Sequence, residues 1–155
     1  MARKTFQKDL VTNKKAYFDY EILEKFETGI VLLGMEVKSL KQSKASLVGA
    51  YVIIKQREAF LLNATISPYQ PQNTSSDYKP QRTRKLLLKT KEIDYLFNKT
   101  KQQRLTLIPL RVYNKNGLIK IEIALAKGKK KFDKRETIKK REEKSKIEKA
   151  RKGEY

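Results

Sequence analysis

The sequence predicts a mainly β fold, a small closed antiparallel barrel of about six short strands with two or three short helices and a basic C-terminal tail. Three observations point there. Asn116-Gly117 separates two alternating apolar runs, RLTLIPLRVYNK and LIKIEIALA, and supplies the positive backbone angles of a hairpin turn. AYVIIKQREAFLLNATI reads as two further strands around the polar turn Lys55 to Glu58. Several such strands within about 110 residues, with no internal repeat, favour closure, which removes sticky sheet edges.

Taken in order, residues 1 to 15 are polar and basic, with Arg3, Lys4, Lys8, Lys14 and Lys15, and read as a flexible arm. AYFDYEILEKF, rich in aromatic and branched residues, is expected to be the first strand. ETGIVLLGMEVKSLK is ambiguous. Ile30, Leu33, Val37 and Leu40 recur at helical spacing, yet two glycines in a short apolar run suit a bent strand. A short helix near Thr28 to Leu33 with extended chain after Gly34 is the favoured arrangement.

After the 51–66 strand pair comes SPYQPQNTSSDYKPQ, which holds three of the four prolines and forms the one long loop. Loops of that length are usually functional or disordered. Lys85 to Leu88 looks like a short strand. Thr90 is expected to cap a helix over about 91 to 103, with Glu92 and Asp94 near its positive end and Ile93, Leu96, Phe97 and Thr100 along one stripe. In the final hairpin, Ile119, Ile121, Ile123 and Leu125 alternate with Lys120, Glu122 and Ala124. That places one face in a core and one in water. Pro109 cannot donate to a ladder and marks an edge or a bulge.

Charge bears on partners. The 155-residue chain carries 37 Lys and Arg against 17 Asp and Glu, a formal net charge of +20. Such a chain attracts polyanions: nucleic acid, anionic lipid or an acidic protein. The excess is distributed, with 23 basic and 11 acidic residues in 1–126 and 14 and 6 in 127–155. The chain has no Cys and no His, which excludes a disulfide framework, a Cys/His zinc site and Ser-His-Asp or Cys-His catalysis. No apolar leader or membrane-length stretch occurs, so a cytoplasmic protein is expected, without cofactor or metal. A carboxylate nuclease would need converging acids. Asp19, Glu21, Glu24, Glu27, Glu36 and Glu122 are instead single charges within strand-like segments, better read as salt-bridge partners and solvent-facing charges, so no enzyme is expected.

Two basic regions stand out. Lys79, Arg82, Arg84 and Lys85 lie near Tyr69 and Tyr78, placing phosphate donors beside rings that can stack on bases; the alternative is a solvated loop with incidental charge. From Gly128 to Tyr155 only Phe132, Ile138, Ile147 and Tyr155 are large and apolar. Glu136 with Lys140, Glu142 with Lys146 and Glu148 with Lys152 are i,i+4 pairs, each contributing roughly 0.2–0.5 kcal/mol to a helix. That is too little to offset chain entropy without packing. Residues 128–155 are therefore expected to be unfolded alone and helical against a polyanion, or else a permanently disordered solubilising tail.

The strings NKKAYFDYEILEKFETGIVLLGMEVKSLK, KASLVGAYVII, AFLLNATISPY, RTRKLLLKTKEI, LIPLRVYNKNGLIKIEIALAKGKK and FDKRETIKKRE occur in the same order and at similar spacing in the SsrA-binding protein (SmpB) family, which residues 13 to 143 resemble. The resemblance implies an oligonucleotide-binding-like barrel over residues 16–127. Its implied partners are transfer-messenger RNA, whose tRNA-like domain the barrel binds, the ribosome, and elongation factor Tu acting indirectly through the charged RNA. It implies no chemistry by the protein itself, and a monomer is expected.

The family's RNA-binding glutamate falls on Glu27 and its leucine on Leu87, while Lys89 stands where Asn or His is frequent. Lys14, Lys15, Lys38, Arg82, Arg84 and Lys85 complete the expected RNA face. In the tail, GKK-x-x-DKR falls on Gly128, Lys129, Lys130, Asp133, Lys134 and Arg135. Phe132 takes an aromatic or His position, and Lys131, Lys139, Lys140 and Arg141 add charge. The resemblance implies a tail that enters the vacant messenger channel near the small-subunit decoding centre. A structural ribosomal protein or a general RNA-binding protein is the alternative.

Overall fold

The computed structural model describes residues 7–151. Arg3 and Lys4 of the expected arm, Lys152 as partner of Glu148, and Tyr155 lie outside the described residues. The elements are β1 (Gln7–Thr12), α1 (Lys14–Asp19), β2 (Tyr20–Ile30), α2 (Gly34–Lys41), β3 (Ala45–Ser46), β4 (Tyr51–Lys55), β5 (Glu58–Leu62), β6 (Thr65–Ile66), β7 (Arg84–Leu87), α3 (Thr90–Gln103), β8 (Thr106–Lys115), β9 (Leu118–Gly128) and α4 (Lys131–Arg151). A 3₁₀ turn, Pro71–Asn73, lies in the long loop.

The barrel is a ring of antiparallel pairs, β8-β4-β5-β7-β2-β9, closed by β9 on β8. Its interior is apolar: Val52, Leu61, Leu86, Leu107, Val112, Ile121, Ile123 and Leu125 are buried together with Leu40 of α2 and Leu96 of α3. The expected alternation in β9 is present, since Ile121, Ile123 and Leu125 point inward. Its other face is not wholly in water, because Ala124 and Ala126 are buried against Ala16, Ile108 and Leu110. Small side chains on the outside of β9 leave room for α1 to lie there. Pro109 sits at a register shift between Pro109 and Arg111, as its missing donor demands.

Both hairpin turns use left-handed backbone: Asn116 (φ 52°) with Gly117 (φ 84°), and Gln56 (φ 52°) with Arg57 (φ 59°). Paired positive angles match the twist of the flanking strands. The second turn lacks glycine, and Arg57 is tethered to Asp94 of α3 at 3.2 Å.

Four local expectations are corrected. Residues 7–12 are not a flexible arm: they form β1 on the edge of β8, with Asp9 opposite Tyr113 and Thr12 opposite Arg111, because Leu10 and Val11 are drawn into the core. The first strand begins at Tyr20 rather than Ala16. Asn13, buried, accepts from the Ala16 amide and donates to the Pro109 carbonyl at 2.9 Å and the Leu47 carbonyl at 3.3 Å, starting α1 instead. In the ambiguous segment the order is reversed: β2 runs to Ile30 and the helix starts at Gly34, because Glu36 reaches back to the Leu33 amide at 2.9 Å. For α3 the cap position is Lys89, not Thr90; Glu92 accepts from the Lys89 amide at 3.2 Å.

Candidate nucleic-acid interface

Towards the Asn116-Gly117 turn, beyond the apolar patch that α1 covers, the outer face of β8, β9 and β2 carries a polar layer. Glu27 stands directly opposite Glu122 in the β2–β9 ladder, a like-charge pair that would repel if unscreened. Cations resolve it. Arg111 of β8 reaches Glu122 at 3.3 Å and Asp9 of β1 at 2.6 Å, while Lys115 contacts both Glu27 oxygens at 3.1 and 3.2 Å. Tyr113 is covered by these side chains, 1% exposed, with the Arg111 guanidinium 4.3 Å from its ring centroid, and its hydroxyl donates to Glu27.

That hydrogen bond, together with Lys115 and Lys120, holds the Glu27 carboxyl below its usual range. Burial, followed by the Glu27 bond, raises the Tyr113 phenol. Glu27 is thus a fixed anion whose side chain remains 40% exposed, with acceptor capacity left for an amino or hydroxyl donor.

Strand periodicity extends this face. Gly29, two residues past Glu27, is opposite Lys120 on one side and Leu87 on the other. A Cβ at position 29 would lie 3.2 Å from Leu87 Cδ1, so glycine lets that side chain lie across β2. Leu87 is 58% exposed. The structure therefore brings Glu27 and Leu87 onto one surface and adds Lys115 and Lys120, which sequence reading did not select. Their only signal was their outward place in the amphipathic hairpin. Lys89 follows at the start of α3.

The loop cations divide. Arg84 is fully buried and is no phosphate ligand, correcting that expectation. Its Nε meets Glu36 at 2.8 Å, Nη1 donates to the Ala64 and Arg82 carbonyls at 2.8 and 3.1 Å, and Nη2 to the Pro80 carbonyl at 2.9 Å. Arg82 also pairs with Glu36, and the Tyr78 hydroxyl lies 2.8 Å from the Ile66 carbonyl and 3.1 Å from Glu36. Burial alone would raise the Glu36 carboxyl, but Arg82, the Leu33 amide and Arg84 hold it below its usual range. The cluster fastens α2 to the long loop and β7. Lys85 pairs with Glu58 at 3.0 Å on the surface, and the exposed Lys38 lies 5.5 Å from the Tyr69 ring centroid.

At the other end of the outer face, α1 meets the tail. Gly128 still pairs with Tyr20. The Lys129 amide donates to the Asp19 carbonyl at 2.9 Å, its Nζ to the Tyr17 carbonyl at 3.2 Å, and Lys134 pairs with Asp19 at 3.3 Å. Helix α4 continues to Arg151 with Asp133 in its first turn, favourable to the helix dipole. Phe132 is 68% exposed, Ile138 and Ile147 are exposed, and Arg135, Lys139, Lys140 and Arg141 face solvent. The tail thus offers cations and apolar side chains that the barrel does not cover.

The SmpB protein family model matches residues 10–153. SsrA-binding proteins are similar over nearly the whole chain: that of Sulfurihydrogenibium sp. (strain YO3AOP1) is 52% identical over 147 residues, covering 95% of this chain and 96% of its own. That of Thermosipho africanus (strain TCF52B) is 53% identical over 141 residues, covering 90% and 94%. A solved structure described as "tmRNA-SmpB: a journey to the center of the bacterial ribosome" is 39% identical with a TM-score of 0.65, covering 82% of this chain and 92% of that one.

Proposed function

The chain belongs to the SsrA-binding protein family, and from that premise we propose that it binds the tRNA-like domain of transfer-messenger RNA and delivers it to stalled ribosomes for trans-translation, in which the nascent peptide is tagged and the ribosome released. The observation that carries this is near-complete coverage by half-identical SsrA-binding proteins, joined to a 39%-identical neighbour described with both tmRNA and the ribosome. The protein acts by binding, without catalysis. Elongation factor Tu is engaged only through the charged RNA, and the protein acts as a monomer.

Two surfaces divide the work. The barrel face with Glu27, Leu87, Lys89, Lys115 and Lys120 takes the tRNA-like domain: cations on phosphates, Glu27 accepting from base or ribose donors, Leu87 supplying apolar contact. The tail takes the ribosome, its cations on ribosomal RNA phosphates and Phe132 placed to stack on a base at the decoding centre. A full-length message would occupy the same path, so tail binding reports that the channel is empty. The test is the RNA that co-purifies with the protein. One small stable RNA, retained after the ribosomes are washed away at high salt, is expected; a protein sedimenting with all ribosomes at high salt would instead be a structural ribosomal component.

A further inference from the structure

Lys14 and Lys15, expected at the tRNA-like domain, and Arg141, expected at the ribosome, line one cleft. It lies between α1 and α4, is open to solvent with a volume of about 540 Å³, and its walls are Lys14, Lys15, Tyr17, Phe18 and Arg141. The wall residues are three cations and two aromatic rings, with no acid among them. Tyr17 is 41% exposed, and its backbone carbonyl is held by Lys129. Among the described residues one side-chain ion pair, Lys134 with Asp19, ties α4 to α1, and the facing cations oppose that approach unless an anion lies between them.

We propose that this cleft binds one unpaired nucleotide, its base stacked on Tyr17 or Phe18 and its flanking phosphates on Lys14, Lys15 and Arg141. An exposed ring, Tyr17, and a half-buried one, Phe18, beside cations are the arrangement that holds single strands, because every base has a π-face and every linkage a charge. A duplex would offer phosphates but no free base, leaving the rings unused. The volume falls within the usual range for small-ligand sites, roughly 300–1,000 Å³. Since one wall is α4, occupancy fixes the direction in which the tail leaves the barrel. The inference rests on the RNA-binding function proposed above and assigns it a site where barrel and tail share one nucleotide.

The probes are pentauridylate and the same sugar-phosphate pentamer with all five bases removed, identical in charge, titrated against the full chain. Stacking of one base changes affinity by about 5- to 150-fold, from roughly 1–3 kcal/mol at tenfold per 1.4 kcal/mol. The intact oligomer is expected to bind tighter by a factor in that range. Tyr17→Ala with Phe18→Leu should collapse the ratio towards one while leaving affinity for the abasic oligomer nearly unchanged. Tyr17→Phe should preserve the ratio, and Arg141→Gln should weaken both oligomers alike.

Crosslinking of 4-thiouridine-substituted transfer-messenger RNA, and separately of 4-thiouridine-labelled small subunits, to Tyr17 or Phe18 identifies which RNA supplies the nucleotide. A ratio near one in the unaltered chain, a ratio unmoved by the ring substitutions, or no crosslink from either RNA would overturn the site. Co-purification of transfer-messenger RNA in that event would leave the broader function standing.

Discussion

Arg84 and Glu36, 48 residues apart in the chain, form an ion pair in which neither side chain is exposed to solvent. A buried pair of this kind contributes little net stability compared with an apolar substitute, yet losing one partner strands the other charge. Arg84 thereby organises the long loop and β7 from inside the fold.

Arg84→Ala is accordingly expected to destabilise the chain by about 3–5 kcal/mol in urea unfolding. Affinity for transfer-messenger RNA, scaled to the folded fraction, should change little. A change of less than about 0.5 kcal/mol, typical of an unremarkable surface position, would mean that Arg84 is not the clamp described.

Tyr113→Phe removes the hydroxyl that holds Glu27. Glu27 is lowered from 4.5 by the Tyr113 bond first and by Lys115 and Lys120. A carboxylate with a lowered folded-state pKa stabilises the fold above its unfolded value, and that stability is lost as pH falls through the folded value. The melting-temperature gap between Tyr113→Phe and the unaltered chain should be full at neutral pH and close in acid below 4.5. A gap independent of pH would show that the hydroxyl acts by packing alone.

Leu87→Ala tests the apolar part of the face. The side chain is exposed in the free protein, so stability should stay within about 0.5 kcal/mol. Affinity for the tRNA-like domain should fall by about tenfold, the order expected when the side chain's few methyl and methylene groups lose burial at roughly 0.8 kcal/mol each. The measurement is a filter-binding titration with thermal melts alongside.

Salt tests the cations. Each phosphate contact adds about −0.9 to the slope of log K against log salt on duplex. Four contacts or more would weaken binding roughly a hundredfold or more between 50 and 200 mM salt. A flat response would leave the +20 charge without a role in recognition.

Much of this architecture was legible because it is written in local chemistry. Asn116-Gly117 and the alternation through Leu125 specify a hairpin by themselves, and the stripe of Ile93 and Leu96 specifies α3. The reversed order in residues 28–41 was not legible, because Glu36 starts the helix by capping Leu33 while also receiving Arg82 and Arg84 from across the fold. Arg84 could not be told from a surface arginine for the same reason: only tertiary structure brings it to Glu36. Lys120 looked like any solvent-facing strand residue until Gly29 and Leu87 were placed beside it. Leu10 and Val11, in a short polar context, gave no sign that β1 would add to β8.

The division of labour between barrel and tail is tested most directly by removing residues 131–155 and measuring two quantities on the same preparation, affinity for transfer-messenger RNA and peptide tagging on ribosomes stalled at the end of a truncated message. RNA affinity within a few-fold of the intact chain with tagging abolished is the predicted result. Tagging that persists without α4, or RNA binding lost in step with it, would contradict the account.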